Sequence, residues 1–250
     1  MARKLFPFLL FCAFILTGCF ETTEEITINE DGSGTFTDTN DMSAGIKLAK
    51  NMGGGEDLEK LTSQKFDTTI ALSSLADSIK DLSAEEKKLL AKGTMYIKLN
   101  GEEEKYLSKL NFPFSNANEI SGYSKVSSKI FGNSIKGMVP GNNTGGDQVP
   151  DLSSINDYYS IEFSKGEIKK SLNKDKYAKL DSDEFLKGLK ESAGMGIPIT
   201  NTYIINLPHP ATKVEGKNIQ LSEDKKRVTV KTDINDFYDS PDKLEFKIKY

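Results

Sequence analysis

The chain has 250 residues, with 33 Lys or Arg against 37 Asp or Glu and a formal charge of −4. Arg3 and Arg227 are its only arginines. Bidentate contacts to phosphates and base edges are therefore scarce, and with the acidic balance this argues against nucleic acid as a partner. The length suffices for a real core, as one domain or two small ones.

Arg3 and Lys4 precede an almost unbroken apolar run from Phe6 to Leu16, which ends on Leu16-Thr17-Gly18-Cys19. A positive start, a short apolar stretch and a small residue before a cysteine make a secretory leader, too short to span about 30 Å of hydrocarbon. The segment resembles the lipobox of bacterial lipoproteins. That resemblance implies recognition of Leu16, Thr17 and Gly18 by the signal peptidase, removal of residues 1–18, and a diacylglycerol thioether plus a further acyl chain, such as palmitate, on Cys19. Several acyl chains anchor firmly where one is marginal. The expected location is the outer membrane of the cell envelope, since no Asp follows Cys19 to favour inner-membrane retention. The periplasmic or cell-surface face stays open, with Phe20, Glu21, Glu24 and Glu25 a candidate surface-export signal of the Bacteroidetes type. Loss of Arg3 and Lys4 takes the formal charge to −6. Cys12 leaves with the leader and Cys19 is acylated, so no thiol remains for a disulfide, for catalysis or for a thiolate metal site.

Residues 19–25 read as a lipidated acidic tether. Ile26 to Thr37 then reads as a hairpin, with Ile26, Ile28 and Phe36 toward a core and Asp31-Gly32 in the turn. Asn40 or Asp41 caps a helix reaching Met52, with Ala44, Leu48 and Met52 on one face. Gly53-Gly54-Gly55 ends it and, with no Gly-Lys-Ser/Thr to follow, is not a phosphate loop. Lys65 to Leu72 is Thr- and Ile-rich and reads as a strand. Ser73 starts a helical pattern through Leu75, Ile79 and Leu82, and Ser83-Ala84-Glu85-Glu86 is a capping box stopped at Gly93. Met95 to Leu99 and Tyr106 to Phe112 alternate around an Asn100-Gly101 turn. Ser115 caps a helix carrying Ile120, Tyr123, Val126 or Ser127, and Ile130. Residues 132–150, rich in Gly with Pro140 and Pro150, read as a flexible surface loop between an N-terminal lobe (26–131) and a C-terminal lobe (151–250). Whether the second lobe continues the first is left open.

The second half predicts strands at Tyr158 to Phe163 and Glu167 to Leu172 about a Lys165-Gly166 turn. A helix starts at Asp181 or Ser182, runs through Leu189 and is closed by Gly194 and Gly196. Strands follow at Thr200 to Leu207, Asn218 to Leu221 and Arg227 to Thr232. A helical turn at Ile234 to Tyr238 leads to a last strand with Leu244, Phe246, Ile248 and Tyr250 on one face. The predicted class is α+β, a mostly antiparallel sheet with covering helices.

Chemistry is sparse. His209, the only histidine, lies between two prolines and reads as a loop residue. No Gly-x-Ser-x-Gly elbow occurs. Asp31, Asp38 and Asp41 with Asn40 are candidates to approach one another, yet fit no calcium loop and read as turn and cap residues. Glu102-Glu103-Glu104 reads as a solvated turn. The expectation is thus no catalytic residue, no metal ligand and no cofactor. Phe114, Tyr123, Tyr158 and Tyr159 are the aromatics that would line an apolar ligand pocket, against their plainer reading as core.

The lipobox, the Ile-Asn-Glu-Asp-Gly-Ser-Gly hairpin, Leu207-Pro208, Lys213-Val214-Glu215-Gly216-Lys217-Asn218 and Leu244-Glu245-Phe246 together resemble a family of uncharacterised Bacteroidetes lipoproteins, over nearly the whole mature chain. That likeness brings no activity with it. The Asp-Gly-Ser-Gly hairpin after a lipobox also resembles mycobacterial LppM-like lipoproteins, which implies an α/β lipid-binding-like fold. The expected function is a lipid-anchored cell-envelope protein with a binding or structural role and no enzymatic activity. Its partners are the membrane, through the anchor, and an envelope protein or apolar ligand. The alternatives are a carrier of a lipid or other apolar ligand and a carboxylate-dependent hydrolase. A closed apolar cavity favours the carrier, two acids facing across an open cleft favour the hydrolase, and neither leaves an interaction module.

Overall fold

The structure, a computed structural model, describes residues 20–51, 53, 59–60, 62–76, 79, 82–138, 154–164, 166–194 and 198–250. β1 (Phe20–Ile28) and β2 (Gly34–Asp41) form the expected hairpin, with Gly32 at φ 82° in its turn. Asp41 then accepts from the Ser43 backbone at 2.9 Å and starts α1 (Ser43–Asn51). Ile46 of α1 is buried and belongs to a small cluster with Leu99 and Tyr106.

β3 (Lys65–Ala71) runs into a 3₁₀ turn, Leu72–Leu75. The helical pattern expected from Ser73 begins as this 3₁₀ turn, and residues 77–78 and 80–81 of its continuation lie outside the described residues. The Ser83 capping box forms as read and opens α2 (Ala84–Leu90). Ser83→Ala removes the acceptor that the Glu86 backbone reaches at 3.2 Å. The expected loss is about 1 kcal/mol, visible as a lower urea midpoint with an unchanged slope.

β4 (Thr94–Asn100) and β5 (Lys105–Phe114) follow. The next cap falls on Asn116 rather than Ser115: its side chain accepts from Asn118 and starts a 3₁₀ turn that flows into α3 (Ile120–Met138). This helix corrects the loop reading at its start, since residues 132–138 are helical. The remainder of the expected loop, 139–150, lies outside the described residues.

The second half holds α4 (Ser154–Asp157), β6 (Tyr159–Ser164), β7 (Glu167–Leu172), α5 (Lys174–Tyr177) and α6 (Glu184–Gly194). Asp183, not Asp181 or Ser182, accepts from the first turn of α6. After these come β8 (Ile199–Asn206), β9 (Lys213–Gly216), β10 (Ile219–Leu221), β11 (Arg227–Asp233), α7 (Ile234–Asp239) and β12 (Phe246–Lys249).

The class is α+β. Eight strands form one sheet in the order β10-β11-β8-β1-β2-β5-β4-β3, and four form a second in the order β6-β7-β12-β9. Every pairing is antiparallel except β1 with β8. That parallel pair joins residues from the two expected lobes in a single sheet. It also overturns the tether: residues 20–25 are strand, hydrogen-bonded on both sides near the middle of the large sheet.

One face of the large sheet is covered. Over β2 and β5, α3 lays Tyr123 on Phe112 at 4.8 Å between ring centroids, and on Phe36 at 6.5 Å. Over β8 and β11 the small sheet packs Ile168, Phe246 and Ile248 against Tyr203, Ile205, Val228 and Val230. The opposite face carries Thr23, Glu25, Thr27, Thr37, Thr39 and Thr229, part-buried and polar. A second core, under α6 and α7, sets Tyr158 and Tyr177 edge-on to Phe237, each at 5.6 Å. Such pairs add about 0.5–1.5 kcal/mol beyond burial.

Candidate functional site

The two covering layers meet over the β1–β2 hairpin, and beneath their seam the sheet face stops being apolar. Strand register makes the change explicit. Val228, Ile205, Ile26, Phe36 and Phe112 form one cross-strand row. The next row toward the start of β1 is Val230, Tyr203, Glu24, Asp38 and Leu110. The one after is wholly polar: Thr232, Asn201, Thr22, Asn40 and Ser108. Period two along each strand puts these three rows on the same covered face.

Glu24 and Asp38 are direct cross-strand partners and are 3% and 8% exposed. Carboxylates directly opposite one another in a ladder repel, so each is held by polar groups of its own sheet or of the covering elements. Asn40 Nδ2 donates to Asp38 Oδ1 at 3.1 Å, and Thr22 in turn donates to Asn40 Oδ1 at 2.9 Å. Ser127 on α3 donates to Asp38 Oδ2. Asn156 on α4 donates to Glu24 Oε1 at 2.9 Å and accepts from the Tyr203 hydroxyl.

The cation comes from the small sheet. Lys170 shares the inward face of β7 with Ile168 and is 2% exposed. Its ammonium stands 3.8 Å from the Tyr203 ring centroid and 4.9 Å from that of Tyr159. A desolvated cation over aromatic faces gains about 2 kcal/mol. The Tyr159 ring is fixed in turn by its hydroxyl, which donates to Pro241 O at 3.0 Å.

Burial dominates the electrostatics. It pushes the Asp38 carboxyl up to about 7; the Glu24 charge adds to this, while the Ser127 and Asn40 hydrogen bonds oppose it. Burial brings Lys170 down to about 8, against the pull of Glu24. Tyr203 is raised well above the usual phenol range, first by burial and then by Glu24. Asp38 therefore keeps its proton to a higher pH than an exposed aspartate does, because burial and then the Glu24 charge disfavour its ionised form. The arrangement can hold and release that proton between two packed layers.

The sequence-based candidates are dispersed. Asp31 lies at the hairpin turn, bonded to Ser33, and Asp41 caps α1 at the opposite end of β2, so neither joins Asp38 and Asn40. Glu102, Glu103 and Glu104 occupy the β4–β5 turn and pair with Lys65, Lys98 and Lys47. His209 is exposed in the loop after β8. Phe114, Tyr123, Tyr158 and Tyr159 are buried core residues. Leu16, Thr17, Gly18 and Cys19 lie outside the described residues. Among the described residues no group of three or more His, Cys, Asp or Glu is placed to hold a metal ion, and no helix is long and apolar enough to cross a membrane.

Sequence reasoning placed Glu24 in a tether and export signal, gave Asp38 a turn or cap role, and assigned no site role to Lys170 or Tyr203. The available signal was phase: Glu24 falls in step with Ile26 and Ile28, Asp38 with Phe36, and Lys170 with Ile168. A charged residue in phase with apolar positions is a buried charge awaiting a partner.

Among solved structures the chain is similar to the folded domain of the LppM protein of Mycobacterium tuberculosis, determined by NMR. Identity is 9%, 93% of this chain and 91% of that chain are covered, and the TM-score is 0.41. No protein-family model and no curated protein matches the chain. The likeness to Bacteroidetes lipoproteins stands on the sequence motifs alone.

Proposed function

We propose that the chain is a lipid-anchored protein of the cell envelope, held on the outer membrane through Cys19, with a binding or structural role and no catalysis. The observation that carries this reading is the junction of leader and domain: Leu16-Thr17-Gly18-Cys19 runs directly into β1, which begins at Phe20. Cleavage before Cys19 removes the leader and spares the folded sheet, leaving the cysteine free at a new amino terminus to be acylated.

The buried acids speak for a non-catalytic role. A hydrolase needs water and substrate to reach its carboxylates, whereas Glu24 and Asp38 lie under Ser127, Asn156 and Tyr203. A carrier of apolar ligands needs an enclosed apolar chamber. The aromatics suited to one are spent on each other and on the core, and a surface hollow of ≈ 220 Å³ beside Tyr177 and Tyr238 is lined also by Asp181, Lys187 and Lys190.

The test is the mass of the amino-terminal proteolytic peptide from the protein made in an envelope-bearing bacterial host. Diacylglycerol and acyl mass on Cys19 is expected, with palmitate incorporation lost in Cys19→Ser. An unmodified Cys19 sinks the anchored reading. Native mass spectrometry of the same sample decides the rest: a stoichiometric co-purifying lipid replaces the binding-module reading with a carrier.

A further inference from the structure

We infer that the end of the large sheet where β1 begins is the face seated on the bilayer. This rests on the anchored reading above. Phe20 pairs with Ile199, and Glu21 with both Thr200 and Asp41, so β1 is laddered on both sides within two residues of Cys19. Adjacent Cα atoms are about 3.8 Å apart. Freeing residues as a tether strips backbone hydrogen bonds from both edges of a central strand, each a buried polar group left unpaired. An acyl group on Cys19 therefore draws the end of the sheet itself to the headgroups.

The ladders identify what shares that level. Glu21 pairs with Asp41 and Asp41 with Leu107. Two residues back along β5, Lys105 lies farther toward that end, and it pairs with Asn100, which pairs with Lys65. The β4–β5 turn, the start of β3 and the start of α1 thus belong to the same end. So does the start of α7, because Asp233 pairs with Thr200.

This end carries paired charges. Glu102, Glu103 and Glu104 stand 3.6, 2.8 and 2.8 Å from Lys65, Lys98 and Lys47, and Asp41 is 3.8 Å from Lys105. A run of three acids that would repel anionic headgroups is paired with lysines residue by residue, which lessens that repulsion. The other end is remote. Rising through β1 at roughly 3.3 Å per residue, the chain climbs about 30 Å to the hairpin turn. The exposed Glu30, His209 and the turn at residues 222–226 gather there.

The molecule suits a direct test, because an introduced cysteine is the only free thiol in the mature lipoprotein. Glu102→Cys and Glu30→Cys, each in the acylated full-length protein, are labelled with a donor dye and reconstituted into phosphatidylethanolamine–phosphatidylglycerol vesicles bearing headgroup rhodamine. Energy transfer from position 102 is expected to exceed that from position 30 several-fold. Equal transfer, or stronger transfer from position 30, overturns the orientation. A flexible Gly-Ser insertion between Cys19 and Phe20 is expected to erase the contrast; a contrast that survives the insertion overturns the claim that the short connection sets it. The amino-terminal peptide is weighed in each sample. Acylated peptide with equal transfer sinks the orientation alone, whereas unmodified peptide sinks the anchored reading together with it.

Discussion

Replacing Lys170 by methionine is expected to destabilise the domain by about 3–5 kcal/mol, although methionine nearly preserves the volume of the side chain. The ammonium is 2% exposed, and the nearby Glu24 is 3% exposed with Asp38 beside it. Removing the cation leaves the buried Glu24 with Asn156 and Tyr203 as neutral partners, and it strips Tyr203 and Tyr159 of their cation contact. The double substitution Glu24→Gln with Lys170→Met is expected to cost less than Lys170→Met alone, because the charge left stranded is then gone. The readout is urea unfolding of the four proteins of the cycle at pH 7. If Lys170→Met costs under about 1 kcal/mol, or the two effects simply add, Glu24 does not depend on Lys170.

The expense of such a cluster makes sense as register control. The covered face of β1 and β2 passes from apolar through charged to polar, row by row, and each charged residue is tied to a different overlying element. Sliding β1 by two residues against β2 keeps every side chain on its face but sets Glu24 against Phe36 or Asn40 instead of Asp38. It also parts Glu24 from Asn156 and Lys170. An all-apolar face tolerates that slip better, so the buried ions favour a single pairing of the hairpin and its covers.

Most of the fold is legible in the sequence because its determinants are local. Asp31-Gly32 needs only a positive φ, Ser83 and Glu86 need only each other, and the alternation in Thr200 to Leu207 needs only one buried face. The failures are non-local. Glu21 to Glu25 has the composition of a solvated tether, and what makes it a strand is β8, nearly 180 residues away, whose parallel ladder no local pattern announces. The glycines of residues 132–138 weaken the helical signal by about 1 kcal/mol each, and α3 runs through them. The candidate site was hidden for the same reason. Asp38 beside Asn40 looks like turn chemistry, and Lys170 is one lysine among many. Their meaning appears only when β1, β2, β7 and β8 are superposed in register.

Asp38→Asn is expected to be more stable than the parent protein at pH 8 and no more stable at pH 5, a reversal that an ordinary structural aspartate does not show. The folded protein raises the Asp38 carboxyl from 3.8 to about 7. Its proton is therefore held more tightly folded than unfolded, so the group's contribution is full below pH 3.8, declines as pH rises through 7 and is absent above. About three pH units correspond to roughly 4 kcal/mol, an upper value for what the ionised form costs at pH 8. Asparagine stays neutral throughout and can still meet Ser127 and Asn40, since the hydroxyl rotates to accept where it formerly donated. Besides Glu24, the site faces Lys170, whose folded value is lowered to about 8 by burial, so its contribution is present above 10.5 and lost as pH falls through 8. Lys170 is thus charged in both proteins from pH 5 to 7 and leaves their difference unchanged there. Carboxylates held low by partners, such as Glu86 and Glu119, bend both stability curves alike and cancel from the same difference. Unfolding free energies measured by urea from pH 5 to 8 for the two proteins decide the matter: curves that diverge from pH 5 to about 7 and level off above place the proton on Asp38, and curves parallel throughout remove it from there.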